Sequence, residues 1–126
     1  MHTILVVDDN ADSCKALAKL LTMMGDKALC VCSGQLALNS LKLHIPSLVI
    51  LDVMMPGMDG MEVLSRIRSE PKTAHIPVVM FSAIDDPEYP NYAKSKGATD
   101  FWVKGKLDFP SLHQLVAPYM LLPAAA

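Results

Sequence analysis

Five short apolar runs punctuate the chain. Each is followed by a stretch in which apolar residues recur every three or four positions. The first run, Ile4–Val7, ends abruptly at Asp8 and Asp9. Cys14, Leu17, Leu21 and Met24 then repeat at helical spacing, and Gly25 is a natural stop. Lys27–Cys32 reads as a second strand. Leu38 and Leu41 mark a short second helix behind Ser33, a side chain suited to capping its start. Ser47–Leu51 is the third strand, running into Asp52. Asp59-Gly60-Met61-Glu62 fits a capping pattern, and Met61, Leu64 and Ile67 supply the stripe of the helix it opens. Ile76–Phe81 is the fourth strand, with Pro77 near its start, and Phe101–Val103 is the core of the fifth. Leu112, Leu115, Val116 and Tyr119 form the stripe of a last helix. Between the fourth and fifth strands, Pro87 and Pro90 leave room only for a short helix, from about Tyr89 to Lys96.

Near-continuously apolar strands that alternate with helices predict an α/β fold, a parallel sheet covered on both faces. Right-handed crossovers restrict its topology, and sites in such sheets form beyond the carboxyl ends of the strands. The strand-terminal residues are therefore the candidates for chemistry: Asp8 and Asp9, Asp52, Ser82 and Lys104. Alone, each has an ordinary explanation: a strand end, a helix cap, a loop hydroxyl, a solvated lysine. Together they make a site. Clustered carboxylates repel one another, and a hard divalent cation such as Mg²⁺ relieves the repulsion. A hydroxyl and a fixed positive charge suit the oxygens of a phosphoryl group, so Asp52 can serve as a nucleophile.

Composition narrows the classes. With 126 residues, 52% of them hydrophobic, one domain can bury a core without staples. A net charge of −2 with dispersed bases argues against direct nucleic-acid binding. No apolar run reaches the about 18 residues of a membrane span, and the start lacks a signal-peptide core. Cys14, Cys30 and Cys32 make an odd count. Cys30 and Cys32 share a strand face and read as buried free thiols, with no further metal ligand close in sequence, which fits a cytoplasmic location. His2, His44, His75 and His113 share no motif, and none is expected to donate a phosphoryl group. Trp102 is expected to pack under a helix on the face opposite Phe101. Met54, Met55 and Met58 are a secondary candidate for an adaptable partner surface.

The segments ILVVDDN, VILDVMMPGMDG, VVMFSA and GATDFWVK, in this order, resemble the receiver domain of two-component response regulators. The resemblance covers nearly all of residues 3–120, and residues 1–122 are taken as the domain, with 123–126 as a tail or truncated linker. It implies a flavodoxin-like (βα)5 doubly wound sheet in the order 2-1-3-4-5. It also implies that Asp52 accepts a phosphoryl group from a sensor histidine kinase or histidine phosphotransfer protein. Mg²⁺ would be bound by Asp9, Asp52 and the Met54 carbonyl, with Asp8 acting through a bound water. Ser82 would hydrogen-bond the phosphoryl group, Lys104 would pair with it, and Met54, Ala83 and Ile84 would surround it. Phe101 falls at the switch aromatic, which follows the serine inward and remodels the face of helix four, strand five and helix five. A downstream protein or output domain, or a second copy in a homodimer, would read that face.

The chain departs from the family pattern at four places. Gly105 replaces the proline that usually follows the lysine; this predicts a trans bond there and a differently aimed Lys104. Pro87 and Pro90 shorten helix four. Phe101 lacks a tyrosine hydroxyl. Met54 and Ile84 are apolar beside the phosphoryl group, which predicts slow self-dephosphorylation. The competing functions are a receiver-shaped scaffold that needs no phosphate, a Mg²⁺-dependent aspartyl phosphatase and a flavodoxin-like redox carrier. The phosphatase usually needs Asp-x-Asp after its first strand, where this chain has Asp8-Asp9. The redox carrier needs a hydroxyl- and glycine-rich loop in the place of the acidic DDNADS.

Overall fold

The computed structural model describes residues 2–120, so the expected boundary near residue 122 lies outside the described residues. Strands β1 (Thr3–Val7), β2 (Lys27–Val31), β3 (Leu48–Leu51), β4 (Val78–Ser82) and β5 (Asp100–Val103) form one sheet. All its pairings are parallel, in the order β2-β1-β3-β4-β5. Helices α1 (Ala11–Met23), α2 (Gly34–Leu43), α3 (Gly60–Ser69), α4 (Tyr89–Ser95) and α5 (Phe109–Met120) alternate with them. This is the expected doubly wound fold.

Period-two alternation on the strands makes two cores. Leu5, Val7, Val49, Leu51, Val78 and Met80 pack with Ala37, Val63, Leu64, Ile67 and Ala93 of α2, α3 and α4. Ile4, Val6, Leu48, Ile50 and Val79 face the other way, onto Cys14, Leu17 and Leu21 of α1 and Leu112 and Val116 of α5. Trp102 is in this second core and is 5% exposed, as its position opposite Phe101 required.

The caps lie where the sequence places them, with one refinement. Ser33 Oγ accepts from the Leu36 N–H at 3.1 Å, and Asp59 Oδ1 accepts from that of Glu62 at 2.9 Å. Helix α1 is capped by Asn10, whose Oδ1 accepts from the Ser13 N–H at 3.0 Å. Neither Asp8 nor Asp9 is needed for that cap. Helix α4 has seven residues, with Pro90 in its first turn where a missing N–H costs nothing.

The cysteines require a correction. Cys14 and Cys30 are joined as a disulfide, and only Cys32 is a free thiol. Cys30 is half-buried because β2 is an edge strand, and Cys32, expected at the end of that strand, lies in a bend just past it and is half-buried too. The third sulfur missing from the local sequence comes from α1, which packs on β2. Spacing along the chain gave no hint of that meeting.

Candidate functional site

The ladder hydrogen bonds carry each acid to the carboxyl edge of the sheet. The Asp52 N–H donates to the Val7 carbonyl at 2.9 Å, and the Asp8 N–H donates to that of Val31 at 3.2 Å. Asp8 and Asp52 are 5% and 7% exposed, whereas Asp9 is open to solvent. The three side chains each offer an oxygen within 4.8 Å of the others. An all-oxygen carboxylate set of this kind fits a hard divalent cation such as Mg²⁺.

Lys104 reaches into this cluster. Its Nζ lies 2.7 Å from Asp8 Oδ2 and 3.4 Å from Asp52 Oδ2. The expectation of a differently aimed Lys104 is therefore corrected, although the backbone is trans as predicted: there is no cis peptide bond among the described residues. The Lys106 N–H donates to the Val103 carbonyl at 3.2 Å, and Gly105, at φ +85°, takes the position of a tight turn that demands a positive φ. The Lys104 N–H donates to the Ser82 carbonyl at 2.8 Å, which fixes the root of the side chain. Its ammonium also lies 5.7 Å from the centre of the Phe81 ring.

Burial raises the Asp52 carboxyl above its ordinary value. Lys104 opposes that, the charge of Asp8 adds to it, and the Met54 N–H, 3.3 Å from Asp52 Oδ1, favours the ionised form. Burial prevails. Burial also pulls the Lys104 ammonium down, but its hydrogen bond to Asp8 and the charges of Asp52 and Asp8 hold it above its ordinary value. Its contribution to stability is thus complete below about 10.5 and fades as pH rises through the folded value.

Removing that ammonium leaves two buried carboxylates facing each other. Lys104→Ala is expected to cost about 2 kcal/mol of stability at neutral pH without divalent cations. Lys106→Ala, which breaks the exposed pair with Asp85 at 3.0 Å, is expected to cost less than about 1 kcal/mol. Urea unfolding of the two variants side by side checks the contrast; equal losses would refute it.

The remaining expected residues fall around this centre. Ser82 is fully buried at the end of β4, and its Oγ accepts from the Ile84 N–H at 3.2 Å. Ala83 is exposed. Met54 and Ile84 line one open groove of about 520 Å³ with Val53, Met55, Pro56, Asp59 and Tyr89. Met54 is 65% exposed while Met55 is buried, so the methionines do not make one continuous surface. Phe101 is 8% exposed, with its ring 5.4 Å from that of Tyr89.

Three contributors escaped the sequence reading. Tyr89, read only as a helix start, links the groove to Phe101. Phe81 sits under the lysine. Gly60 brings α3 against the Asp52 loop, its N–H donating to the Val53 carbonyl at 2.8 Å.

Residues 4–117 match the family model for the response regulator receiver domain. The chain belongs to that family. It is 38% identical over 101 residues to response regulator PleD of Caulobacter vibrioides, covering 80% of this chain and 22% of that one. The signal receiver domain of a DNA-binding response regulator from Colwellia psychrerythraea superposes with a TM-score of 0.87 at 26% identity, covering 97% of this chain and all of that one. The chemotaxis protein CheY4 of Vibrio cholerae gives 0.86 at 25% identity, covering 94% and 98%. The receiver spans less than half the length of the curated relatives it matches. Among the described residues, no helix is long and apolar enough to cross a membrane.

Proposed function

We propose that this receiver is a cytoplasmic phosphoacceptor switch. It takes a phosphoryl group from the phosphohistidine of a sensor histidine kinase or histidine phosphotransfer protein onto Asp52. The observation that carries the reading is the position of Lys104 Nζ, between the carboxylates of Asp8 and Asp52.

An oxygen of Asp52 attacks phosphorus as the nitrogen–phosphorus bond of the donor breaks and its imidazole leaves. Asp9, Asp52 and the Met54 carbonyl would hold Mg²⁺, with Asp8 acting through a bound water. When bound, the ion supplies neutralising charge to the acidic pocket and the transferring group. Lys104 exchanges its carboxylate partners for phosphoryl oxygens, and the Ser82 hydroxyl donates a hydrogen bond to another. Movement of Ser82 opens space for Phe101, whose contact with Tyr89 conveys the change to the face formed by α4, β5 and α5. That face meets a downstream protein, an output domain or a second copy, rather than nucleic acid or membrane. The chain acts as a switch that promotes its own modification and not as a turnover enzyme.

Incubation with labelled acetyl phosphate and Mg²⁺ tests this. The expected result is one base-labile acyl phosphate per chain, mapped to Asp52 and lost when the metal is chelated. No incorporation under varied conditions would favour the phosphate-independent scaffold. Steady turnover of a small phosphate ester would favour the phosphatase.

The labelled protein is expected to lose its phosphoryl group slowly. Ile84 offers no side-chain hydrogen bond to an attacking water, and the thioether of Met54 offers only a weak acceptor. Met54→Asn is expected to shorten the lifetime of the acyl phosphate several-fold. An unchanged decay rate would show that the apolar side chains do not shield it.

A further inference from the structure

Outside the acidic pocket, the three cysteines are the other cluster of potential ligands among the described residues. Cys14 lies in the first turn of α1 and is fully buried, whereas Cys30 on the edge strand and Cys32 in the bend just past its end are half-buried. Their sulfurs lie within 4.8 Å of one another. Cys14 is bridged to Cys30, and its sulfur lies within 4.8 Å of that of Cys32 as well. The Cα of Cys14 lies 5.8 Å from that of Cys30, a separation that a disulfide spans.

Backbone hydrogen bonds join this cluster to the acidic pocket. The carbonyl of Val31, between Cys30 and Cys32, accepts from the Asp8 N–H at 3.2 Å. The Cys14 N–H donates to the Asn10 carbonyl at 2.9 Å, and the Asn10 N–H donates to Asp8 Oδ1 at 2.9 Å. The disulfide thus closes a ring of contacts with Asp8 on its far side. We propose that Cys14 and Cys30 form a reversible redox modification site, with Cys32 as the alternative partner of Cys14, and that its thiol state sets the placement of Asp8. The consequence for phosphoryl transfer rests on the phosphoacceptor reading; the cysteine chemistry does not.

A hydroperoxide is the oxidant. A strand thiolate attacks the terminal peroxide oxygen, and the oxygen–oxygen bond breaks to release an alcohol, or water from hydrogen peroxide, leaving a sulfenic acid. The sulfur of Cys14 then attacks the sulfenic sulfur. The disulfide forms as the sulfur–oxygen bond breaks, and water leaves with the Cys14 proton. A dithiol reverses the reaction, becoming a disulfide itself as both cysteine thiols return. Disulfides that come and go in a reducing compartment are characteristically sensors.

The test uses the chain fully reduced with a dithiol, treated with hydrogen peroxide, alkylated and mapped by mass spectrometry. Cys14 and Cys30 are expected to lose their free thiols together and to recover them with dithiol. Cys30→Ser is expected to redirect Cys14 to Cys32, and Cys14→Ala to abolish any bridge between α1 and the β2 end. In metal-free protein, the amide resonances of Asp8 and Asn10 are expected to shift on oxidation, and not to shift in Cys14→Ala. Three thiols that stay alkylatable, a bridge only between chains, or a copurifying soft metal shielding all three sulfurs would overturn the site. Bridge formation with unmoved Asp8 and Asn10 resonances would overturn the coupling. Acetyl phosphate labelling of the reduced chain reports on the phosphoacceptor reading separately.

Discussion

An Asp52→Asn chain is expected to take up no label from acetyl phosphate and, without divalent cations, to melt at a higher temperature than the unsubstituted chain. The first effect is all-or-none, because an amide oxygen is a far poorer nucleophile than a carboxylate at this position. The second follows from burial. Asp52 is 7% exposed, and its carboxyl is held above the ordinary value, so the folded chain keeps this proton more readily than the unfolded chain. As pH rises through the interval above 3.8, ionisation therefore works against the fold. At neutral pH the neutral amide removes that opposition together with the repulsion from Asp8. Asn keeps an oxygen for the Met54 N–H, and Lys104 keeps Asp8 at 2.7 Å. A gain of about 1 kcal/mol or more is expected. Calorimetry in a chelator, beside the labelling assay, checks both halves. Full labelling of the variant would move the phosphoacceptor elsewhere, and a lower melting temperature would refute the electrostatic account.

That Asp52 is a buried carboxylate at a strand end was legible in the sequence, because an apolar strand runs straight into it. The strands were legible for the same reason, since buried parallel strands have no polar face to blur them. Their edges were less so. The fourth strand was expected from Ile76 but begins at Val78, since Pro77 offers no N–H to the ladder. Contacts made by packing rather than by pattern were not legible at all. Arg68 donates from its guanidinium to the carbonyls of Gly97, Ala74 and Ile76 at 2.8, 3.1 and 2.7 Å, tying the end of α3 to the neighbouring loops. In the sequence it is one more basic residue on a helix. The meeting of Cys14 with Cys30 is of the same kind. Gly105 was misread in a different way. Replacing a family proline suggested a lost lysine position, yet a positive-φ glycine turn delivers the ammonium to the same carboxylates.

Gly60→Ala is expected to cost about 3 kcal/mol of stability or more, and to impair labelling of whatever folded protein remains. A Cβ at Gly60 would run into the Asp52 carbonyl oxygen and meet the Val53 Cα at 2.8 Å, and both are backbone atoms that cannot swing aside. Relief requires moving α3 or the loop that carries Asp52. The first breaks the hydrogen bond from Gly60 to Val53 and loosens Val63, Leu64 and Ile67 in the core. The second displaces Asp52 from Lys104. Gly57 provides the control. Its φ is +74° and nothing lies within 4 Å of an added Cβ, so Gly57→Ala meets only the left-handed backbone penalty of about 1 kcal/mol. Urea unfolding of both variants, with labelling at Asp52 measured on each, separates a close approach from a conformational preference. If the two substitutions cost the same and label equally, the tight seat of α3 beneath Asp52 does not position that carboxylate. If Gly60→Ala alone is severely destabilised, the glycine read from sequence as part of a helix cap is what allows α3 to sit against the Asp52 loop.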